Sequence, residues 1–123
     1  MQTYQGSCHC RKVRFEIEVE PITTAMSCNC SICSRVGWLI LGVPGAQFKL
    51  LAGEADLSDY QFGNKNIHHV FCRNCGVRAF SHVTTKDGRE MRAVNARCLE
   101  GLDLGAVAIK QVDGKSIPIP HEG

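Results

Sequence analysis

The sequence has no long apolar run. Its longest apolar stretch, Trp38 to Val43, has the length of a strand and contains Gly42, whereas a membrane-spanning helix needs roughly 18 apolar residues. The first residues also lack the basic start and the apolar stretch that are typical of a secretory signal. We therefore expect a protein that has no membrane partner and lies in the cytoplasm.

Runs of basic residues are missing as well. The 14 Lys and Arg residues and the 12 Asp and Glu residues give a net charge of +2 and are scattered along the chain. Proteins that bind nucleic acids normally carry a basic stripe that follows the phosphates. We therefore expect no nucleic-acid partner.

The sequence also lacks sustained helical periodicity. Apolar and polar residues instead alternate over residues 12–20, which predicts a strand with one buried face. The same reasoning predicts strands at 24–28, 38–43, 47–52, 56–62, 66–71, 77–83, 91–95 and 106–112. A short helix is predicted within 30–37, and an extended tail at 113–123. Because 123 residues without a linker fit one domain, we expect a single, mainly β domain over residues 1–123.

Cysteine, in contrast, is abundant, with eight residues in the chain. A secreted protein would use them in disulfides, whereas a cytosolic protein would use them for metal binding or catalysis. The lack of an export signal favours the second alternative. The spacing agrees, because pairs separated by one or two residues chelate an ion more readily than they form ordinary structural disulfides.

Two cysteine pairs far apart in the chain predict a structural zinc site. Cys72 and Cys75 are followed by Gly76, which permits the left-handed turn of a zinc knuckle, and Cys8 and Cys10 form a tighter pair. Four thiolates make a closed tetrahedral site that leaves no room for substrate. The alternative is a redox pair at Cys72 and Cys75, but a thioredoxin-like motif requires helices that this sequence lacks.

Cys28, Cys30 and Cys33 predict a second zinc site of a different kind. Three thiolates can hold one ion from a single loop, and three protein ligands with an open position are typical of catalytic zinc. Three thiolates leave the zinc site with one surplus negative charge, so we expect it to activate water poorly. A thiol bound to the metal loses its proton and stays nucleophilic, which favours thiol chemistry. The alternative is a second structural site, completed by Cys98 or a His.

A few other residues are weaker candidates for a functional site. Cys98 is expected to be a small buried residue, and of the neighbours His68 and His69 at most one can face a pocket. Trp38 is expected in the core, although it could wall a ligand pocket. Arg35, the basic residue nearest to the open site in the sequence, could receive a substrate carboxylate or could lie in solvent.

The order and spacing of these motifs resemble the glutathione-dependent formaldehyde-activating enzyme family over about residues 3–104. The segments that carry the resemblance are 6–10, 13–15, 28–33, 71–76 with Phe80, and Asn95 with 97–99. The resemblance implies a β-tent fold of stacked antiparallel sheets with little helix. It also implies two zinc ions per chain: a structural one on Cys8, Cys10, Cys72 and Cys75, and a second, catalytic one on Cys28, Cys30 and Cys33.

The activity that the resemblance implies is that of a carbon–sulfur lyase. The enzyme after which the family is named joins the thiol of glutathione to formaldehyde and gives S-hydroxymethylglutathione. Two residues depart from the family pattern: Asn29 stands where the family often has His, and Arg11 where a Gly often follows the first cysteine pair. Two alternatives to the enzyme are a non-catalytic zinc-binding scaffold or thiol-binding module, and a thiol redox or zinc sensor.

Overall fold

The computed structural model describes residues 1–63, 65 and 67–116. The strands in this part of the chain are β1 (Gln2–Ser7), β2 (Arg14–Val19), β3 (Thr24–Cys28), β4 (Ile40–Pro44), β5 (Phe48–Ala52), β6 (Leu57–Tyr60), β7 (Ile67–Cys72), β8 (Phe80–Thr84), β9 (Glu90–Asn95) and β10 (Ala108–Val112). One α-helix, α1 (Cys33–Val36), accompanies five short 3₁₀ turns within the described residues. The predicted mainly β class is confirmed.

The strands form two sheets. β1, β2 and β5 make a three-stranded antiparallel sheet, and the other seven strands follow the order β10-β3-β4-β9-β8-β7-β6. All pairs are antiparallel except β10 and β3, which run parallel. A parallel pair needs a long crossover rather than a hairpin, and here the whole length of the chain between β3 and β10 provides it.

Each predicted strand segment overlaps an observed strand, and α1 lies within the predicted short helix. The sequence did not predict β1, because Gln2–Ser7 is mostly polar and shows no alternation. β1 forms because it pairs with β2, and Gly6 lets the Phe15 ring lie against its backbone, where a Cβ atom would overlap that ring. The predicted tail begins instead with a 3₁₀ turn at Gly114–Ser116, and residues 117–123 lie outside the described residues.

The main core lies between the two sheets. Successive side chains of a strand point to opposite faces, so β2 directs Phe15 and Ile17 inwards, and both are fully buried. The Phe15 ring stacks on Phe48 with centroids 5.3 Å apart and meets Phe80 edge-on at 5.9 Å. Aromatic pairs of this kind add roughly 0.5–1.5 kcal/mol beyond the buried area. This packing holds the seven-stranded sheet in place and leaves its opposite face for other contacts.

That opposite face carries the functional region. In β9, Val94 points into the core and is completely buried, whereas its neighbour Ala93 points to the other face and is only half-buried. Cys28 ends β3 and the loop that follows leads into α1. None of the described helices has the length and apolar character needed to cross a membrane.

Candidate metal centres

The structure brings Cys8, Cys10, Cys72 and Cys75 into one cluster, with all Sγ atoms within 4.8 Å of one another. The Sγ atoms of Cys8 and Cys10 are 3.6 Å apart, as are those of Cys10 and Cys72. Zinc–sulfur bonds of about 2.3 Å in a tetrahedron put the sulfurs about 3.8 Å apart. The four thiols therefore fit a zinc ion in both number and spacing.

Two tight turns hold this first cluster. Gly76 has a φ of 79° and donates its N–H to the Cys72 carbonyl at 2.7 Å. Arg11 takes the same left-handed conformation, with a φ of 69°, and donates to the Cys8 carbonyl at 3.3 Å. A side chain in this conformation costs roughly 1–2 kcal/mol. The position where Arg11 departs from the family pattern is therefore one whose backbone favours glycine, which explains why glycine often occupies it.

The protein environment shifts the pKa values of Cys8 and Cys75 in opposite directions. Burial raises the pKa of Cys8 to about 11. Burial by itself would raise the pKa of Cys75 as well. Hydrogen bonds from the backbone N–H groups of Cys10 and Val77 outweigh this effect and lower the pKa of Cys75 to about 6. A metal ion binds thiolates and releases their protons, and N–H groups directed at sulfur are already in place to stabilise that charge.

Cys28, Cys30 and Cys33 form the second cluster, again with Sγ atoms within 4.8 Å of one another. Cys28 ends β3, Cys30 is completely buried in the loop, and Cys33 opens α1. Burial raises the pKa of Cys30 to about 12 and also raises the pKa of Cys33. Among the described residues, no fourth Cys, His, Asp or Glu belongs to this cluster. The geometry therefore fits an ion with three thiolates and an open position.

Cys98 does not complete the second cluster. It is half-buried against the main core, and burial raises its pKa to about 11, with a smaller contribution from the charge of Cys75. That contribution places Cys98 on the side of the first cluster. The structure thus supports the expectation of a packing role.

Arg78 is the residue that sequence reasoning missed. Its guanidinium lies 4.3 Å from the centre of the Trp38 ring, donates to the Ser81 hydroxyl at 2.6 and 3.0 Å, and lies 2.5 Å from Nδ1 of His69. Burial lowers its pKa to about 10, and the thiolate charge of Cys33 acts in the opposite direction. Arg78 therefore stays positive at neutral pH and faces the second cluster.

Arg35 has a different place from the one its sequence position suggested. It is exposed and donates from Nη1 to the Ser31 carbonyl at 2.7 Å, a bond within its own loop. The positive charge that acts on the Cys33 thiol is that of Arg78. The sequence offers little to reveal this, because Arg78 stands in an ordinary alternating segment.

The two neighbouring histidines point to opposite sides of β7, as expected. His69 is buried and lines a cavity that also has Cys28 and Cys33 in its wall. His68 is exposed, and its ring lies 2.7 Å from the Asp59 carboxylate. Trp38 is buried too. Its ring walls a cavity beside Cys33, so both roles considered for it apply.

Two cavities open beside the second cluster. A chamber of about 180 Å³ has Cys28 and Cys33 in its wall. A wider and more open groove of about 540 Å³ lies next to it and includes Tyr60. His69 and Arg78 line both cavities. A ligand at the open metal position could therefore extend into the chamber, which adjoins the groove at these two residues.

Comparison with known proteins agrees with this geometry. The model of the family described as "Glutathione-dependent formaldehyde-activating enzyme" matches residues 3–110. The chain belongs to this family. The family assignment made from the cysteine motifs is therefore confirmed, and it points to a function related to glutathione and formaldehyde.

A solved structure with the same fold supports the family assignment. It is the crystal structure of a Rhodobacter sphaeroides protein, determined as a Northeast Structural Genomics target. The two chains are 32% identical, and the match covers 86% of this chain and 99% of that chain with a TM-score of 0.74. The similarity thus extends over nearly the whole fold that carries both cysteine clusters.

Proposed function

We propose that the protein is a zinc-dependent carbon–sulfur lyase that joins a small thiol to an aldehyde. The default pair is glutathione and formaldehyde, which give S-hydroxymethylglutathione. One observation carries the proposal: the Cys28, Cys30 and Cys33 thiols form a cluster that no fourth ligand joins among the described residues, and Cys28 and Cys33 line a chamber that adjoins a wider groove. Family membership supports the choice of thiol and aldehyde.

The two cysteine clusters have different roles in this proposal. The cluster of Cys8, Cys10, Cys72 and Cys75 offers four ligands and holds a structural zinc ion. The three-cysteine cluster holds the second ion, and a zinc ion bound there would supply a centre that keeps a substrate thiol deprotonated near neutral pH.

The residues around the second cluster provide charge and orientation. Arg78 offsets the surplus negative charge of the thiolates, and its contacts with Ser81 and His69 fix the direction of its remaining N–H groups. Arg78 lines both cavities, so these groups can donate to the oxygen of a bound carbonyl compound. Hydrogen bonds from a fixed cation to an oxygen that gains negative charge are a common means of lowering a reaction barrier.

The bond changes are simple. The sulfur electron pair forms a carbon–sulfur bond with the carbonyl carbon, and the π electrons of the carbonyl move to its oxygen. The proton that the thiol released ends on that oxygen, which becomes a hydroxyl group. The reaction needs no oxidant or reductant, so the clusters serve it as metal ligands and not as redox pairs.

Zinc content and adduct formation in a Cys30→Ser variant test the proposal. We expect the wild type to hold two zinc ions per chain and to accelerate the addition of glutathione to formaldehyde, followed by NMR. The variant is expected to retain one ion and the fold but to lose the acceleration. Cys98→Ala is the matched control, because Cys98 belongs to neither cluster, and it should behave as the wild type.

The possible outcomes separate the proposal from its alternatives. Full activity in Cys30→Ser would show that the mechanism is wrong. Two zinc ions, a metal site perturbed by glutathione and no acceleration would favour a thiol-binding module. Two zinc ions that glutathione does not perturb would favour the non-catalytic zinc-binding scaffold. Loss of the second zinc with disulfide formation under mild oxidant would favour the sensor.

A further inference from the structure

The chamber beside the second cluster is formed by the face of the seven-stranded sheet that points away from the main core. Six of its strands each contribute an apolar side chain to the wall: Met26, Ile40, Ile67, Val83, Ala93 and Val112. None of these side chains is fully buried by the described residues. Within the part of the chain that the structure describes, a continuous apolar surface therefore lies open next to three clustered thiols.

Thiol, charged and polar groups make up a smaller part of the wall. Cys28 and Cys33 lie in it together with Arg78, His69 and Ser81, and Arg78 contacts the last two. The chamber therefore combines reactive and charged groups with a mainly apolar wall. A ligand that matches it has a polar head at the metal and an apolar body behind it.

The size of the chamber exceeds what formaldehyde requires. A water molecule occupies about 30 Å³ in the liquid, and an apolar protein cavity of about 150 Å³ accommodates benzene. The chamber measures about 180 Å³, whereas formaldehyde has only two non-hydrogen atoms. Each CH₂ group that moves from water into such a space strengthens binding roughly fourfold, so a larger apolar molecule would bind more tightly.

The thiol has a better place in the neighbouring groove. Glutathione is long, charged and polar, and it does not suit a small chamber with apolar walls. The groove of about 540 Å³ is open and has Tyr60 and Asn95 among its lining residues. Because His69 and Arg78 border both cavities, a thiol in the groove and a carbonyl group in the chamber would meet beside Arg78, which faces the second cluster.

We propose that the chamber binds the apolar substituent of the aldehyde, so that the preferred carbonyl substrate has about four to six carbon atoms and not one. This inference rests on the proposed function. The reaction remains the addition of a thiol to a carbonyl, with a new carbon–sulfur bond and transfer of the thiol proton to the carbonyl oxygen. The apolar chain lies against the sheet, and Arg78 donates to the oxygen.

Glutathione addition to pentanal and to formaldehyde, each compared with its own uncatalysed rate, tests the inference with zinc-loaded protein. We expect the acceleration for pentanal to exceed that for formaldehyde by tenfold or more. Ala93→Leu fills the chamber and should lower the ratio of the two accelerations at least tenfold. Val83→Phe fills it from a different strand, and circular dichroism checks that both variants fold. Ala108→Leu, at an exposed position of β10 outside the chamber, is the matched control and should leave the ratio unchanged.

A second measurement detects binding without chemistry. Trp38 is the only tryptophan in the chain and walls the chamber, so its fluorescence reports on the occupant. Pentan-1-ol cannot form the adduct, and we expect it to change this fluorescence in a saturable way in the wild type and in Ala108→Leu. The response should be at least tenfold weaker in Ala93→Leu.

The results distinguish failure of the inference from failure of the proposed function. Acceleration of formaldehyde but not of pentanal, with no response to pentan-1-ol, would overturn the inference and leave the proposed function standing. A response to pentan-1-ol without acceleration of either aldehyde would support an apolar ligand in the chamber but reject the lyase. Absence of all three signals would reject both.

Discussion

The Sγ atoms of Cys10 and Cys72 lie 3.6 Å apart although 62 positions separate the two residues in the chain. Cys10 follows β1 of the three-stranded sheet, and Cys72 ends β7 of the seven-stranded sheet. A zinc ion in the first cluster would therefore link the two sheets. The ion would cross-link two residues that are far apart in the chain, at a place where only the packing of the core otherwise holds the two sheets together.

Replacement of one ligand in this cluster is expected to unfold the protein. Structural zinc sites contribute about 10–16 kcal/mol in small zinc domains, whereas the whole free energy of unfolding of a domain is about 5–15 kcal/mol. We expect Cys72→Ser to lose the structural zinc and the cooperative thermal transition, measured by elemental analysis and circular dichroism. Cys98→Ala should keep both. Unfolding of Cys72→Ser at the wild-type temperature would contradict a structural role of the metal.

The charge of Arg78 is expected to strengthen metal binding at the second cluster. Zinc with three thiolates carries surplus negative charge, which the half-buried guanidinium of Arg78 offsets. Loss of groups around a metal's ligands typically weakens binding 10–100-fold, and we expect an effect of this size on the second zinc in Arg78→Met, measured by competition with a chromogenic chelator.

Arg78→Lys separates charge from packing in the same experiment. Lysine keeps the positive charge but not the forked donors that contact Ser81 and His69. We expect its zinc affinity to lie between those of Arg78→Met and the wild type. Equal zinc affinity in all three proteins would show that the guanidinium charge does not act on this site.

Gly53 is expected to tolerate no side chain. It has a φ of 94°, and a Cβ atom there would overlap the backbone of Lys12 and lie 2.7 Å from the Cα atom of Val13. Gly88 has a similar φ of 86° but open space around it. We expect Gly88→Ala to lower the free energy of unfolding by about 1–2 kcal/mol and Gly53→Ala by about 3 kcal/mol or more, measured by urea denaturation. Equal losses would mean that the close approach at Gly53 is not tight.

Asn29 is expected to slow the loss of the second zinc. It lies between two ligands of that site, donates to the Asp113 carboxylate at 2.8 Å and accepts the Lys115 backbone N–H at 3.1 Å. These bonds fasten the metal loop to the chain that follows β10. Since exposed hydrogen bonds of this kind each contribute only modestly to stability, we expect Asn29→Ala to release the second zinc about three- to tenfold faster to a chelator.

A matched control for that experiment is Gln47→Ala. Gln47 also uses an exposed side-chain amide, which donates to the Glu18 carbonyl at 2.6 Å in the other sheet. Its removal should leave the release of both zinc ions unchanged. If Asn29→Ala and Gln47→Ala release the second zinc at the same rate, the link to the segment after β10 does not stabilise the loop.

The sequence predicts the local features of this protein well. Alternation over 12–20 predicts β2 because a strand has a period of two residues. The spacing of Cys28, Cys30 and Cys33 predicts one thiol cluster, because three residues of one short loop cannot move far apart. Both features depend on neighbours in the chain, so the sequence is sufficient to reveal them.

The sequence cannot reveal features that depend on distant partners. β1 has no pattern of its own and exists because β2 pairs with it. Arg78 has no motif, and its role arises from contacts with Trp38 and His69, which belong to other parts of the fold. The chamber likewise needs six strands whose side chains share one face.

The cysteine motifs thus determined by themselves which thiols are candidate metal ligands, and together with the neighbouring motif residues they indicated the family. Only the tertiary structure decided which cation faces the second cluster and how much space lies beside it. The physical reason is that ligand spacing is a short-range property of the chain, whereas burial, charge and cavity volume arise where distant segments pack together.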